Sequence, residues 1–215
     1  MEYLNTLQDE LFPLLPELSL TSDAVDWSKL AQLCCLWLQF GRSMNLTGAR
    51  DLVSLMPQIA EGLHVVALLK QVNLSDSKTF GLDVGSGAGF PALVILSALD
   101  LAMTMIEPRE NRATFLQLAL ATIQAKDCHV IRGRLETNTW QALESSTPTP
   151  NFRQFSFAGA RAVFPVQTWL QTASSWLSPQ AICICHMKPG DPQPPGYIPV
   201  ATVTSALWSI RAYRL

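Results

Sequence analysis

Three glycines at alternate positions, Gly85, Gly87 and Gly89, follow the apolar run 80–84 and lead into Phe90 and Pro91. Glycine lets a chain turn tightly and lets backbone amides approach a ligand with no Cβ in the way. A dinucleotide fingerprint spaces its glycines G-x-G-x-x-G, whereas this turn reads G-x-G-x-G with Asp83 two places ahead, a spacing suited to a nucleoside-bearing ligand without a pyrophosphate. Glu107 directly follows the next apolar run, 102–106, where an acid reaches the ribose hydroxyls of such a ligand. Gly133, Arg134, Leu135 and Glu136 follow a third run, where backbone amides could read a base edge or the segment could simply open a helix with Glu136 in its first turn. Arg161, after a fourth run, is placed to meet a carboxylate or a nucleic-acid group. Plainer readings stand beside these: a structural turn at the glycines, and at Glu107 a solvated strand-end acid paired with Arg109 or Arg112.

Placing these residues together takes a particular set of elements. From residue 80 onward, short apolar runs alternate with amphipathic stretches, which predicts an α/β domain built around a parallel sheet. Strands are expected at 80–84, 102–106, 129–131, 155–159 and 181–187, with helices at 91–98, 111–124, 135–143 and 166–176. Two runs at 197–203 and 207–213 leave no room for a helix between them and predict an antiparallel pair. Before residue 80 the pattern is helical: 24–40 with Asp23 as its cap, a helix started by Asp51 through Leu52, Leu55 and Met56, and another after Pro57 through Leu63, Val66, Ala67 and Lys70. This gives a helical N-terminal cap over 1–78 and a main domain over 79–215, with loops at 145–154 and 188–196. In an open α/β sheet the ligand crevice lies outside the carboxyl ends of the strands, where all of the residues above fall.

The 215 residues, 48% of them hydrophobic, can fill one conventional core, and a net charge of -2 excludes a protein that grips polyanions by bulk charge. Residues 1–30 hold six acids against Lys29, while the stretch after 128 holds seven Arg or Lys against three acids, so a polyanion would prefer the later half. Five cysteines, with no CxxC pair and no histidine at ligand spacing, read as buried thiols rather than a metal site. No secretory pattern opens the chain, and the apolar stretch 91–106, broken by Asp100, falls short of the ~20 residues that cross a bilayer. A cytoplasmic protein with no membrane partner is expected.

The motifs MNLTGARD (44–51), LDVGSGAGFP (82–91), IEPRENRATFL (106–116), GRLE (133–136), ARAV (160–163) and KPG (188–190), in this order, resemble the GidB-type family of bacterial small-subunit ribosomal RNA guanine-N7 methyltransferases. The resemblance spans roughly residues 37–190. It implies a Rossmann-like class I fold with a mostly parallel seven-stranded sheet, S-adenosyl-L-methionine as cofactor, and small-subunit ribosomal RNA as partner to a monomer. It further implies that Gly85 and Phe90 contact the cofactor, that Leu135 and Glu136 border its adenosine, and that Arg161 belongs to the same pocket. Asn45, Thr47 and His64 resemble family positions near the catalytic mouth. Ala67 stands where relatives commonly carry an acid, and a proline-rich loop after Lys188 replaces a helix.

Methylation at guanine N7 uses an exposed lone pair, so no proton must leave before attack and no general base is expected. RNA would be held by stacking and by Arg or Lys on phosphates, with Arg132, Arg134, Arg153, Arg161 and Lys188 available, and Asn45 and His64 at the mouth. Two other readings remain open: a diverged member that binds cofactor or RNA without transferring a methyl group, and a methyltransferase acting on a small molecule or a protein.

Overall fold

The computed structural model describes residues 3–144 and 149–215. Its elements in chain order are α1 (Leu4–Leu11), α2 (Leu14–Glu17), α3 (Trp27–Phe40), α4 (Leu52–Gln71), β1 (Phe80–Val84), α5 (Ala92–Leu96), β2 (Ala102–Ile106), α6 (Glu110–Thr122), β3 (Cys128–Ile131), β4 (Gly133–Leu135), β5 (Trp140–Ala142), β6 (Phe157–Gly159), α7 (Val166–Trp176), β7 (Ile182–Met187), β8 (Pro199–Thr204) and β9 (Ser209–Arg214). Seven strands form one sheet in the order β3-β2-β1-β6-β7-β9-β8. The first five run parallel and β9 and β8 close the sheet antiparallel, as the alternating runs predict, which is the Rossmann-like arrangement that the family resemblance implies. Strands β1 and β2 are buried almost throughout, because helices cover both faces of a parallel sheet. The order reverses between β2 and β6 on either side of β1, and such a switch point opens a crevice at the carboxyl ends of the strands.

Three elements depart from expectation for local reasons. Helix α3 starts at Trp27 rather than 24: Val25 is extended, and the cap is Asp26, whose side chain accepts from the Lys29 amide at 3.0 Å, while Asp23 lies in a preceding 3-10 turn. Residues 52–71 form one helix instead of two. Asp51 and Ser54 close a capping box, and Pro57 sits only in the second turn, where the carbonyl it leaves free belongs to Val53, 68% exposed and open to water. The expected helix at 135–143 is instead the β4–β5 hairpin. Thr137, Asn138 and Thr139 favour a turn over a helix, and the ring of Trp140 lies over Gly133, where an added Cβ would sit 2.1 Å from it. The expected loop at 145–154 lies outside the described residues over 145–148 and ends in a short 3-10 turn at Phe152–Gln154.

The core runs without a break from Leu7 and Leu33 through Leu63 to Phe115 and Ile184, joining the N-terminal helices to the sheet. Helix α4, with its 20 residues and mean hydropathy of 1.6, is long and apolar enough to cross a membrane, yet 72% of its most apolar window is buried inside the fold, against α5, β8 and β9. Cys34, Cys183 and Cys185 are buried, Cys128 is half-buried and Cys35 is exposed.

Candidate functional site

At the switch point, β1 runs into the glycine turn. The amides of Gly85 and Ser86 donate to the Ile106 carbonyl at 2.7 and 3.1 Å, which ties the turn to the end of β2, and Gly89 donates to Ser86 O at 2.7 Å. All three glycines hold positive φ, +71° at Gly85, +59° at Gly87 and +85° at Gly89. The next strand end supplies Glu107, only 3% exposed, whose Oε2 accepts from the Gly87 amide at 2.8 Å and whose Oε1 accepts from the Arg109 amide at 2.9 Å. Backbone amides rather than arginine side chains therefore hold it, and a carboxylate with about four lone-pair sites keeps two for hydroxyl donors.

A cleft of about 340 Å³ opens over these groups, a size in the range of small-molecule sites. Gly85, Ser86, Gly87 and Phe90 form its floor, Glu107 and Arg109 one wall, and Arg161 and Val163 the other. A cleft of about 430 Å³ elsewhere, bordered by Asp26, Leu101 and Cys128, sits at the opposite, amino ends of β2 and β3 and has no glycine turn. That chemistry makes the carboxyl-end cleft the candidate site.

Of the sequence-predicted cofactor residues, Gly85, Gly87, Phe90, Glu107 and Arg161 line this cleft. Gly89 instead serves packing, its Cα facing Leu93 and Leu116. Leu135 is buried at the end of β4, and Glu136 is exposed beyond β4 with its amide used on Thr139 O, so neither borders the cleft. Asn45 is exposed beside the cleft and accepts from Arg112 Nη2 at 2.9 Å through its carbonyl. Thr47 Oγ1 receives hydrogen bonds from Gln58 Nε2 and the Ala49 amide. His64 is 2% exposed, with Nδ1 2.7 Å from the Ala60 carbonyl and its ring edge-on to Trp208, so the structure places it in the core rather than at an RNA-facing mouth. Arg134 and Lys188 are exposed, while Arg132 is occupied by Glu110 at 3.6 Å and Glu144 at 3.1 Å.

Sequence reasoning missed the support beneath the turn. Trp37 of α3, fully buried, donates from Nε1 to Ala88 O at 2.7 Å and stacks on Phe90 at 4.2 Å. Trp37→Phe keeps the ring contact but strands a buried carbonyl, and is expected to cost about 1–3 kcal/mol. Urea unfolding of the variant measures this, and an unchanged midpoint would remove Trp37 as a support of the turn.

Residues 26–190 match the model of the GidB family, described as rRNA small subunit methyltransferase G. The chain belongs to this family. Among curated relatives, "Ribosomal RNA small subunit methyltransferase G" of Helicobacter pylori is 36% identical over 100 residues, 46% of this chain and 53% of that protein. The Nitratidesulfovibrio vulgaris protein of the same name is 32% identical over 146 residues, 67% of this chain and 62% of that protein. The GidB-family chain thus spans about half to three fifths of the length of these relatives. An RNA methyltransferase from Salinibacter ruber, solved with S-adenosyl-L-homocysteine, shares the fold at a TM-score of 0.52 and 16% identity, over 70% of this chain and 90% of that one.

Proposed function

We propose that the cleft holds S-adenosyl-L-methionine and that the chain transfers its methyl group to N7 of a guanine in 16S ribosomal RNA. The carrying observation is the positive-φ glycine turn hydrogen-bonded through Gly87 to the buried Glu107, at the sheet's switch point and in a family of this description. The cofactor supplies an electrophilic sulfonium methyl group. Gly85 and Gly87 let the backbone lie close against it, Glu107 accepts from ribose hydroxyls through its two spare lone-pair sites, and Arg161 meets the carboxylate of its amino-acid end.

Guanine N7 brings its own lone pair, so the protein's task is to hold acceptor and methyl donor in line, a contribution worth about 7–11 kcal/mol at best. Arg109 and Arg112 at the cleft, with exposed Arg134 and Lys188 further off, offer cations to phosphates. The cap over 1–78 would carry the Asn45 and Thr47 rim of the acceptor side, and the chain would work as a monomer in the cytoplasm, away from any membrane. Incubation of small-subunit RNA or subunits with the protein and cofactor, followed by digestion and nucleoside mass spectrometry, is expected to yield 7-methylguanosine. Cofactor binding with no 7-methylguanosine on bare RNA or subunits would sink the acceptor assignment.

A further inference from the structure

Glu61 lies midway along α4, flanked by buried Ile59, Gly62 and Leu63, and is itself 7% exposed. A lone carboxylate in an apolar helix has to be paired. Its Oε2 accepts from Arg161 Nε at 2.8 Å and lies 2.7 Å from Nη2, and its Oε1 lies 2.7 Å from His186 Nδ1. Burial alone would raise its pKa, but the hydrogen bonds and charges of His186 and Arg161 outweigh that and hold it below the usual carboxylate range. Three separate elements meet here: α4, the segment after β6, and β7. The reach of Glu61 is also fixed, since a Cβ on neighbouring Gly62 would come within 2.6 Å of Val94 and so brings α4 hard against α5.

Buried ionic groups rarely out-stabilise apolar side chains of the same size, so stability is a poor reason for this one. Arg161 offers a better reason. Its side chain is 33% exposed and lines the cleft, and with Nε and Nη2 held by Glu61 the Nη1 edge is left for a ligand. We propose that Glu61, braced by His186, is a positioning residue that orients Arg161 toward the carboxylate of the cofactor's amino-acid end. The proposal rests on the cofactor reading above. Neither Glu61 nor His186 lines the cleft, so both act through Arg161.

The full chain is titrated with two probes, S-adenosyl-L-homocysteine and 5′-methylthioadenosine, which lacks the amino-acid end. Glu61→Gln is expected to weaken S-adenosyl-L-homocysteine about ten- to hundredfold, as loss of a charge-assisted hold implies, while 5′-methylthioadenosine changes by less than about twofold. The double variant Glu61→Leu/His186→Leu, which leaves no buried charge of its own, should keep a cooperative thermal transition and show the same selective loss. Equal weakening of both probes, or of neither, overturns the proposal. Failure of the wild-type chain to bind either probe overturns the cofactor reading itself, an outcome distinct from both.

Discussion

Gly89→Ala is expected to destabilise the protein by about 2–5 kcal/mol, the sum of a left-handed backbone penalty and an overpacked core. Gly89 holds φ +85°, and a Cβ there would stand 2.3 Å from Leu93 Cδ1, 2.6 Å from Leu93 Cγ and 3.1 Å from Leu116 Cδ2. Both leucines are fully buried, so neither can step aside. Gly87→Ala is the matched control: its φ of +59° is also left-handed, yet its Cβ would meet nothing closer than ordinary contact, Arg112 Nη1 at 3.6 Å and Gly85 O at 3.8 Å. It should cost about 1 kcal/mol of stability while placing a methyl group at the cleft floor, so that cofactor affinity falls although the fold survives. Urea unfolding and S-adenosyl-L-homocysteine titration of the two variants would separate the roles. Equal stability losses would show that the turn, and not the Leu93–Leu116 packing, sets the need for glycine at 89.

The contrast between those glycines marks what a sequence can and cannot convey. The run into Gly85, the acid at Glu107 and the arginine at 161 all stand at strand ends, and fully buried strands announce themselves as short apolar runs. Their place at one crevice therefore follows from alternation alone. The spacing did not distinguish Gly87, which forms the floor, from Gly89, which packs the core, because that difference lies in Leu93 and Leu116 side chains. The hairpin at 133–142 was illegible for a similar reason: the ring of Trp140 covers Gly133 across a turn, and nothing periodic signals a diagonal contact.

Longer-range contacts were further out of reach. Arg161 meets Glu61 across 100 residues and His186 meets Glu61 across 125, so the brace exists only once the sheet has formed. One signal was available, the single carboxylate inside the mostly apolar stretch 52–69, since a charge at a core position needs a partner somewhere. His64, three residues on, shows the opposite error. A motif drew attention to it, but its Nδ1 is engaged with the carbonyl one turn back, at Ala60, and its ring with Trp208, which makes it a satisfied core histidine.

Asp83 carries the second large effect, and its sign depends on pH. The side chain is 5% exposed on the central strand β1, its Oδ2 has no hydrogen-bond partner among the described residues, and it borders a void of about 10 Å³ shared with His186. Burial pushes its pKa up from 3.8 to about 7, with Ser86 and Arg161 pulling it back and Glu107 adding to the rise. Below pH ~3 the acid is mostly protonated whether folded or unfolded and contributes almost nothing. Between about 4 and 7 the folded chain keeps a proton that the unfolded chain releases, so stability falls as pH rises, and above about 7 the full penalty stays. At ~1.4 kcal/mol per pH unit the penalty reaches up to about 4 kcal/mol. Asp83→Asn keeps the shape and removes the charge, so it should raise the unfolding free energy at pH 8 and change it by less than about 1 kcal/mol at pH 4. A gain that does not vary with pH would exclude a raised Asp83 pKa as its source.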